Sequence, residues 1–141
     1  MAANTQPIFT LTPDIQWTTT PVNTSNTTKD LASGTIYLVF TSDATNGGYV
    51  QRIRFRTLGT NTNATVCRIW LNNGSVTTTA TNNTLWDEIT LPATTVSEVN
   101  AQANYELPLN FALPPGDRIY VTVGTNTTSA GWQVTVIGGK Y

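Results

Sequence analysis

The chain has 141 residues, of which 39% are hydrophobic and 11% charged, and its formal net charge is −1. It contains no histidine and one cysteine, Cys67, which excludes an internal disulfide and removes the usual general acid–base catalyst and transition-metal ligand. The near balance of charge gives no global attraction to nucleic acid or to an anionic membrane. The composition therefore predicts a protein that binds or assembles and is not an enzyme, with no cofactor.

Threonine fills about a fifth of the positions, and this β-branched residue fits the pleated surface of a strand. Asparagine and glycine supply turns. No stretch reaches the roughly 18 apolar residues of a membrane span, and the N-terminus lacks the basic and then apolar pattern of a signal peptide. We expect a single all-β protein with no membrane partner, made in the cytoplasm.

The first element in chain order is an extended N-terminal arm over residues 1–20. Its prolines disfavour a helix and favour an extended chain, with a short strand around 8–11 or 15–19. One interpretation is a frayed terminus. The favoured one is an arm that crosses onto a neighbouring subunit, because its apolar side chains are too many to leave in water. These side chains are Ile8, Phe9, Leu11, Ile15 and Trp17.

Residues 21–141 are predicted to form one β-sandwich domain. Apolar and polar residues alternate near 36–40, 52–56, 65–71, 85–91, 104–113, 118–124 and 132–137, the period of half-buried strands. Pro108 lies inside one of these strands and should occupy an edge or a bulge. Pro115 and Gly116 fit the centre of a type II turn, which predicts a hairpin over 110–123. About eight strands favour a jelly roll, with a closed barrel as the alternative.

Arg52, Arg54 and Arg56 share one face of a strand, about 7 Å apart, and Arg68 would join them if its strand pairs through the loop 58–63. One interpretation is that these arginines pair with carboxylates on neighbouring strands. The carboxylates in question are Asp87, Glu88 and Glu106. The other interpretation is a docking stripe for an acidic protein surface. Nucleic acid is disfavoured, since no wider basic field or aromatic platform accompanies the stripe.

Trp70 shares its strand face with Val66 and Arg68, which is the composition of an interface patch, although core packing is the default for any single tryptophan. Cys67 falls on the apolar face and is expected to be a buried, inert thiol. No catalytic, cofactor or metal motif is found. The candidate protein-interface residues are Ile8, Phe9, Leu11, Ile15, Trp17, Arg52, Arg54, Arg56, Arg68 and Trp70.

Four segments, residues 2–9, 87–92, 105–115 and 131–134, read AANTQPIF, DEITLP, YELPLNFALPP and GWQV. They resemble small structural proteins of tailed bacteriophages, and among these the capsid decoration, or cement, proteins. The resemblance implies a homotrimer that binds the major capsid protein on the outer surface of the virion and stabilises the shell.

Two alternatives remain open. Another virion component, such as a head fibre, tail or adsorption module, has the same strand pattern. A carbohydrate-binding module is the second, because an aromatic side chain on a β-sandwich face can stack on a sugar ring.

Overall fold

A computed structural model describes residues 9–141, which form eight strands and one turn of 3-10 helix, Ala80–Asn82. The strands are β1 (Thr12–Trp17), β2 (Tyr37–Thr41), β3 (Gly48–Thr57), β4 (Thr65–Asn72), β5 (Asn83–Leu91), β6 (Tyr105–Leu113), β7 (Arg118–Val123) and β8 (Trp132–Lys140). Within the described residues, no helix has the length and apolar character needed to cross a bilayer.

The strands form two antiparallel four-stranded sheets. Sheet A has the order β1-β8-β3-β6, and sheet B has the order β2-β7-β4-β5. The pairs are nested: the first strand pairs with the last, the second with the seventh, the third with the sixth and the fourth with the fifth. A long hairpin folded over into two sheets produces this pattern, which is the jelly roll. The predicted β-sandwich is confirmed, and the closed barrel is wrong.

The core lies between the two sheets because each strand alternates apolar and polar side chains. Ile53 and Phe55 of β3 are fully buried, as are Val134 and Val136 of β8. The side chains between them point out of sheet A and are partly exposed. Burying apolar surface contributes about 25 cal/mol per Å², so these inward rows fix which face of each strand meets solvent. The predicted inward rows of β3, β7 and β8 are confirmed.

Two predictions about proline are also confirmed. β6 is an edge strand, and Pro108 lies beside the irregularity where the register of β3 and β6 shifts. Asn110 has a positive φ of 53° in the same region, a backbone conformation that asparagine tolerates better than most residues. Gly116 has φ 79°, and the Asp117 N–H donates to the Pro114 carbonyl at 3.2 Å, as a type II turn requires.

The hairpin predicted over 110–123 is wrong. β6 belongs to sheet A and β7 to sheet B, so the turn at Gly116 carries the chain from one sheet to the other. Turn chemistry fixes the local backbone, but the identity of the next strand's partner depends on the nested pairing of the whole chain.

The N-terminal segment also differs from its prediction. β1 pairs with β8 along its full length, and Gln16 ties it to sheet B. The Gln16 side chain donates to the Thr41 carbonyl at 2.8 Å and accepts from the Thr41 N–H at 3.0 Å. Residues 12–17 therefore complete sheet A of their own chain, although the sequence assigned residues 1–20 to an arm outside the sandwich. That the arm reaches a neighbouring subunit stays a prediction, and Ile8 lies outside the described residues.

Candidate protein interface

The outer faces of the two sheets differ in one respect: within residues 9–141, the chain covers only one of them. The connection from β1 to β2, residues 18–36, crosses the outer face of sheet B and places Leu31 against Trp70 and Tyr120. Asn26 holds this connection in shape, because its side-chain amide donates to the carbonyls of Asp30, Ser33 and Thr35 at 2.9 to 3.2 Å. We call this surface the covered face.

Trp70 lies in the covered face. It points out of sheet B as predicted, but its side chain is only 7% exposed, and its indole N–H donates to the Thr122 hydroxyl at 3.0 Å. Leu31 of the same chain packs over Trp70, so Trp70 belongs to a small core on the covered face, and a contact of Trp70 with a partner protein stays a prediction.

Arg68 lies on sheet B as well. Its Nε donates to Glu88 on β5 at 2.7 Å, and its side chain is 15% exposed. The expected hairpin between the strands of Arg56 and Arg68 does not form, since β3 and β4 belong to different sheets. Arg68 therefore does not extend the arginine stripe, because its place there depended on that hairpin.

The outer face of sheet A has no such cover among residues 9–141, and we call it the open face. Its side chains come from all four strands and can be read in rows, since directly paired residues point to the same side. The open face comprises Ile15 and Trp17 of β1, Thr135 and Ile137 of β8, Tyr49, Gln51, Arg52, Arg54 and Arg56 of β3, and Glu106 and Pro108 of β6.

Two of these rows bring the predicted arm residues and the predicted arginine stripe together. One row runs Ile15, Ile137, Arg52, and the next runs Trp17, Thr135, Arg54. Neighbouring strands are about 4.8 Å apart, so the apolar half and the basic half of the open face are separated by about 10 Å. Trp17 is 54% exposed, and it contributes a large aromatic surface to the apolar half.

The basic half carries more positive charge than its neighbours neutralise. Glu106 is the one carboxylate on the described part of this face, and it serves two arginines: its oxygens lie 2.5 Å from Arg54 Nε and 3.7 Å from Arg52 Nη1. Arg56 donates instead to the carbonyls of Gln102 and Ala103, both at 3.3 Å, and to the Asn104 side chain. Three guanidinium groups against one carboxylate leave the open face basic in a chain whose net charge is −1.

Two depressions lie on the open face, one on each side of Gln51. The larger, about 510 Å³, is lined by Phe9, Thr10, Tyr49, Gln51, Ile137 and Gly138. The smaller, about 430 Å³, is lined by Gln51, Arg52, Glu106, Leu107, Pro108 and Asn110. The larger is bounded by two aromatic rings and the smaller by a cation, so adjacent positions on this face differ in the chemistry they accept.

The structure therefore collects five of the predicted interface residues on the open face and places Phe9 at its end. Leu11 is exposed immediately before β1. Sequence reasoning missed Tyr49, Gln51 and Ile137. The only available signal was their outward parity on β3 and β8, and parity does not reveal that β3 lies beside β8.

Groups for catalysis are sparse in the described part of the chain. No cluster of three or more acidic or cysteine side chains able to hold a metal ion occurs among residues 9–141. Burial raises the pKa of the Cys67 thiol far above its ordinary range, so this side chain is a protonated core residue, as predicted. The chemistry that the open face offers is recognition by charge, aromatic contact and hydrogen bonding.

Neither a family model nor a curated protein matches the chain. Two solved chains are similar to it in fold. One comes from the cyanophage Pam1 capsid asymmetric unit, with 14% sequence identity and a TM-score of 0.43 over 100% of this chain and 93% of that chain. The other comes from the infectious bursal disease virus Gx strain, with 13% identity and a TM-score of 0.37 over 99% of this chain and 36% of that chain.

Proposed function

We propose that the protein is a virion structural component, and specifically a capsid decoration protein that binds the outer surface of a phage shell through its open face and stabilises the shell. The observation that carries the proposal is the open face itself, where an exposed tryptophan and an under-neutralised arginine row lie side by side on a rigid sheet. Two analogies support the same conclusion. One is the resemblance to cement proteins, and the other is the jelly roll, a fold used in viral capsid domains.

The edges of the sandwich favour a contact through a face. Exposed strand edges tend to pair with other chains unless proline, bulges or charges guard them. β1 carries Pro13 and β6 carries Pro108. The register of β2 shifts at Val39. β5 carries the charged residue Asp87 at the position paired with Ile69 of β4. All four edges therefore have a device against strand addition, which favours docking through a face of the sandwich.

The composition of the open face suits reversible docking on a protein. Tryptophan and arginine are the residues most enriched among those that dominate binding energy, and arginine pairs with carboxylates through a planar fork. Binding to the expanded shell alone would stabilise that state by mass action. Many copies acting together would then strengthen the shell against internal pressure.

The test measures cosedimentation of the purified protein with expanded shells of the virus that encodes it. Trp17→Ala should weaken binding at least tenfold, because it removes the largest apolar side chain of the open face. Trp86→Ala is the matched control. Trp86 is 48% exposed, but it lies on β5 and packs on Phe111 of β6, at the edge of the sandwich opposite β1. Equal binding by the two variants, or no binding by the unmodified protein, would overturn the proposal.

The place of the protein in the particle separates the cement role from the other virion roles. Antibody labelling of intact particles should decorate heads uniformly. Label confined to tails would identify a tail or adsorption module instead. Trp17 beside the Thr135 hydroxyl is also the position at which a sugar ring would stack, so a glycan array hit that Trp17→Ala abolishes would favour the carbohydrate-binding alternative.

A further inference from the structure

We propose that the open face recognises a specific chemistry, an acidic side chain with an apolar side chain next to it on an extended segment of the partner protein. The carboxylate binds Arg52, and the apolar side chain enters the depression between Phe9 and Tyr49. This inference rests on the proposed function, since it names the partner of the same surface.

Arg52 is the arginine with unused donors. Arg54 has Glu106 at 2.5 Å, and Arg56 is held by two carbonyls and an amide oxygen. Arg52 Nη1 lies 3.7 Å from Glu106, beyond hydrogen-bond distance, and its Nε is buried without a partner among the described residues. The side chain is nevertheless 43% exposed. A carboxylate of the partner can therefore pair with the exposed end of the Arg52 guanidinium, whereas the buried Nε lies out of its reach.

The position of Arg52 relative to the larger depression sets the spacing of the ligand. Ile137, on the floor of that depression, is the direct cross-strand partner of Arg52. Gln51 lines both depressions and lies between them. Residues i and i+2 of an extended segment point the same way about 7 Å apart. A segment with an apolar residue and an Asp or Glu two positions apart, in either order, therefore suits two depressions that share Gln51.

Charge selects an acidic protein segment over other anions. The surplus positive charge is confined to one strand, and the neighbouring positions are apolar or neutral. Nucleic acid requires cations that track a phosphate backbone over several nucleotides, whereas the three arginines of this face lie on one strand and Glu106 neutralises part of their charge. Arg52 and Arg54 share Glu106 and leave one positive charge between them for one carboxylate, whereas a run of negative charges would exceed it.

The first experiment does not use the shell. The blocked peptide acetyl-Leu-Thr-Glu-Thr-amide is titrated into the full chain labelled with ¹⁵N, and arginine Nε resonances are recorded. We expect a saturable shift confined to Arg52, with a Kd on the order of millimolar for so small a contact. The matched peptide acetyl-Leu-Thr-Gln-Thr-amide should give none. Absence of a saturable shift, or equal shifts at Arg54 and Arg56, would overturn the inference.

The second experiment uses shells and compares Arg52→Gln with Arg56→Gln, which remove the same charge from the same strand face. Arg52→Gln should weaken shell binding at least tenfold, and Arg56→Gln less than threefold. Equal losses would show that charge alone matters and would refute the specific pocket. If the unmodified protein ignores shells while the peptide still shifts Arg52, the proposed function fails and the pocket stands.

Discussion

The two sheets are built from strands of similar length and alternation, yet their outer faces differ in how far they are exposed to solvent. Sheet B directs Trp70 and Tyr120 outward, and the connection 18–36 lies over them, so that both are almost fully buried. Sheet A directs Trp17 and Ile15 outward, and both remain more than half exposed. The same kind of side chain is therefore core on one side of the molecule and surface on the other.

This difference predicts that substitutions on the two outer faces affect different properties of the protein. Covering Trp70 adds a second small core outside the sandwich, so substitutions there should act mainly on folding. An exposed apolar group beside charged side chains is characteristic of a binding surface. Substitutions on the open face should therefore act mainly on binding, and variants chosen in matched pairs can test that division.

The largest expected effect belongs to Leu31→Ala. Leu31 is 1% exposed and packs on Trp70 and Tyr120, so its truncation should lower the free energy of unfolding by about 2 to 5 kcal/mol, the range for a buried leucine. Urea unfolding measures the loss. Leu58→Ala is the control, since Leu58 is exposed in the loop after β3 and should lose under about 1 kcal/mol. Similar losses would mean that the connection does not seal the covered face.

A smaller effect is expected from the two cross-strand ion pairs. Arg68–Glu88 and Arg54–Glu106 have similar N to O distances, 2.7 and 2.5 Å, but Arg68 is 15% exposed and Arg54 38%. Glu88 is 48% exposed and Glu106 26%, so each pair is partly in solvent and contributes little as a pair. Arg68→Gln should still cost about 1 kcal/mol of stability, because it also removes packing of a mostly buried stem, and Arg54→Gln under about 0.5 kcal/mol. Chemical denaturation at low and high salt measures both. A greater cost for Arg54→Gln would contradict the assignment of the covered face to stability.

Local features of the fold were predictable from sequence because they depend on neighbouring residues. The outward row Arg52, Arg54, Arg56 follows from strict alternation with Ile53 and Phe55, and Pro108 identified an edge. Pairing between distant strands was not predictable, since β3 meets β6 and β8 across about 50 to 90 residues of chain. That pairing placed Trp17 near Arg54 and separated Arg68 from the stripe.

The cover over Trp70 escaped prediction for a different reason. Residues 18–36 have no strand or helix period, and their order depends on side-chain to backbone hydrogen bonds centred on Asn26. Such contacts leave no periodic signal in the sequence. An irregular segment rich in threonine and asparagine can therefore be an ordered cover, and its apolar residues, here Leu31 and Ile36, are the clue to what it buries.

The smallest expected effect concerns Asp30, which shapes the cover from its exposed side. The Ser33 N–H donates to Asp30 Oδ1 at 2.8 Å and lowers the pKa of this carboxyl, with further help from the hydroxyls of Ser33 and Thr28. A carboxyl whose pKa is lower in the folded state stabilises the fold above its unfolded pKa of about 3.9, and this contribution is lost as pH falls through the folded pKa. Asp30→Asn should therefore flatten the decline in stability below about pH 4, while asparagine can still accept from Ser33.

Urea unfolding between pH 6 and pH 2.5 measures the slope, and Asp43→Asn serves as a comparison, because the Asn46 N–H lowers the pKa of Asp43 away from the cover. If acid sensitivity is unchanged in Asp30→Asn, the carboxylate contributes only shape to the cover, and the covered face depends on Asn26 and Leu31.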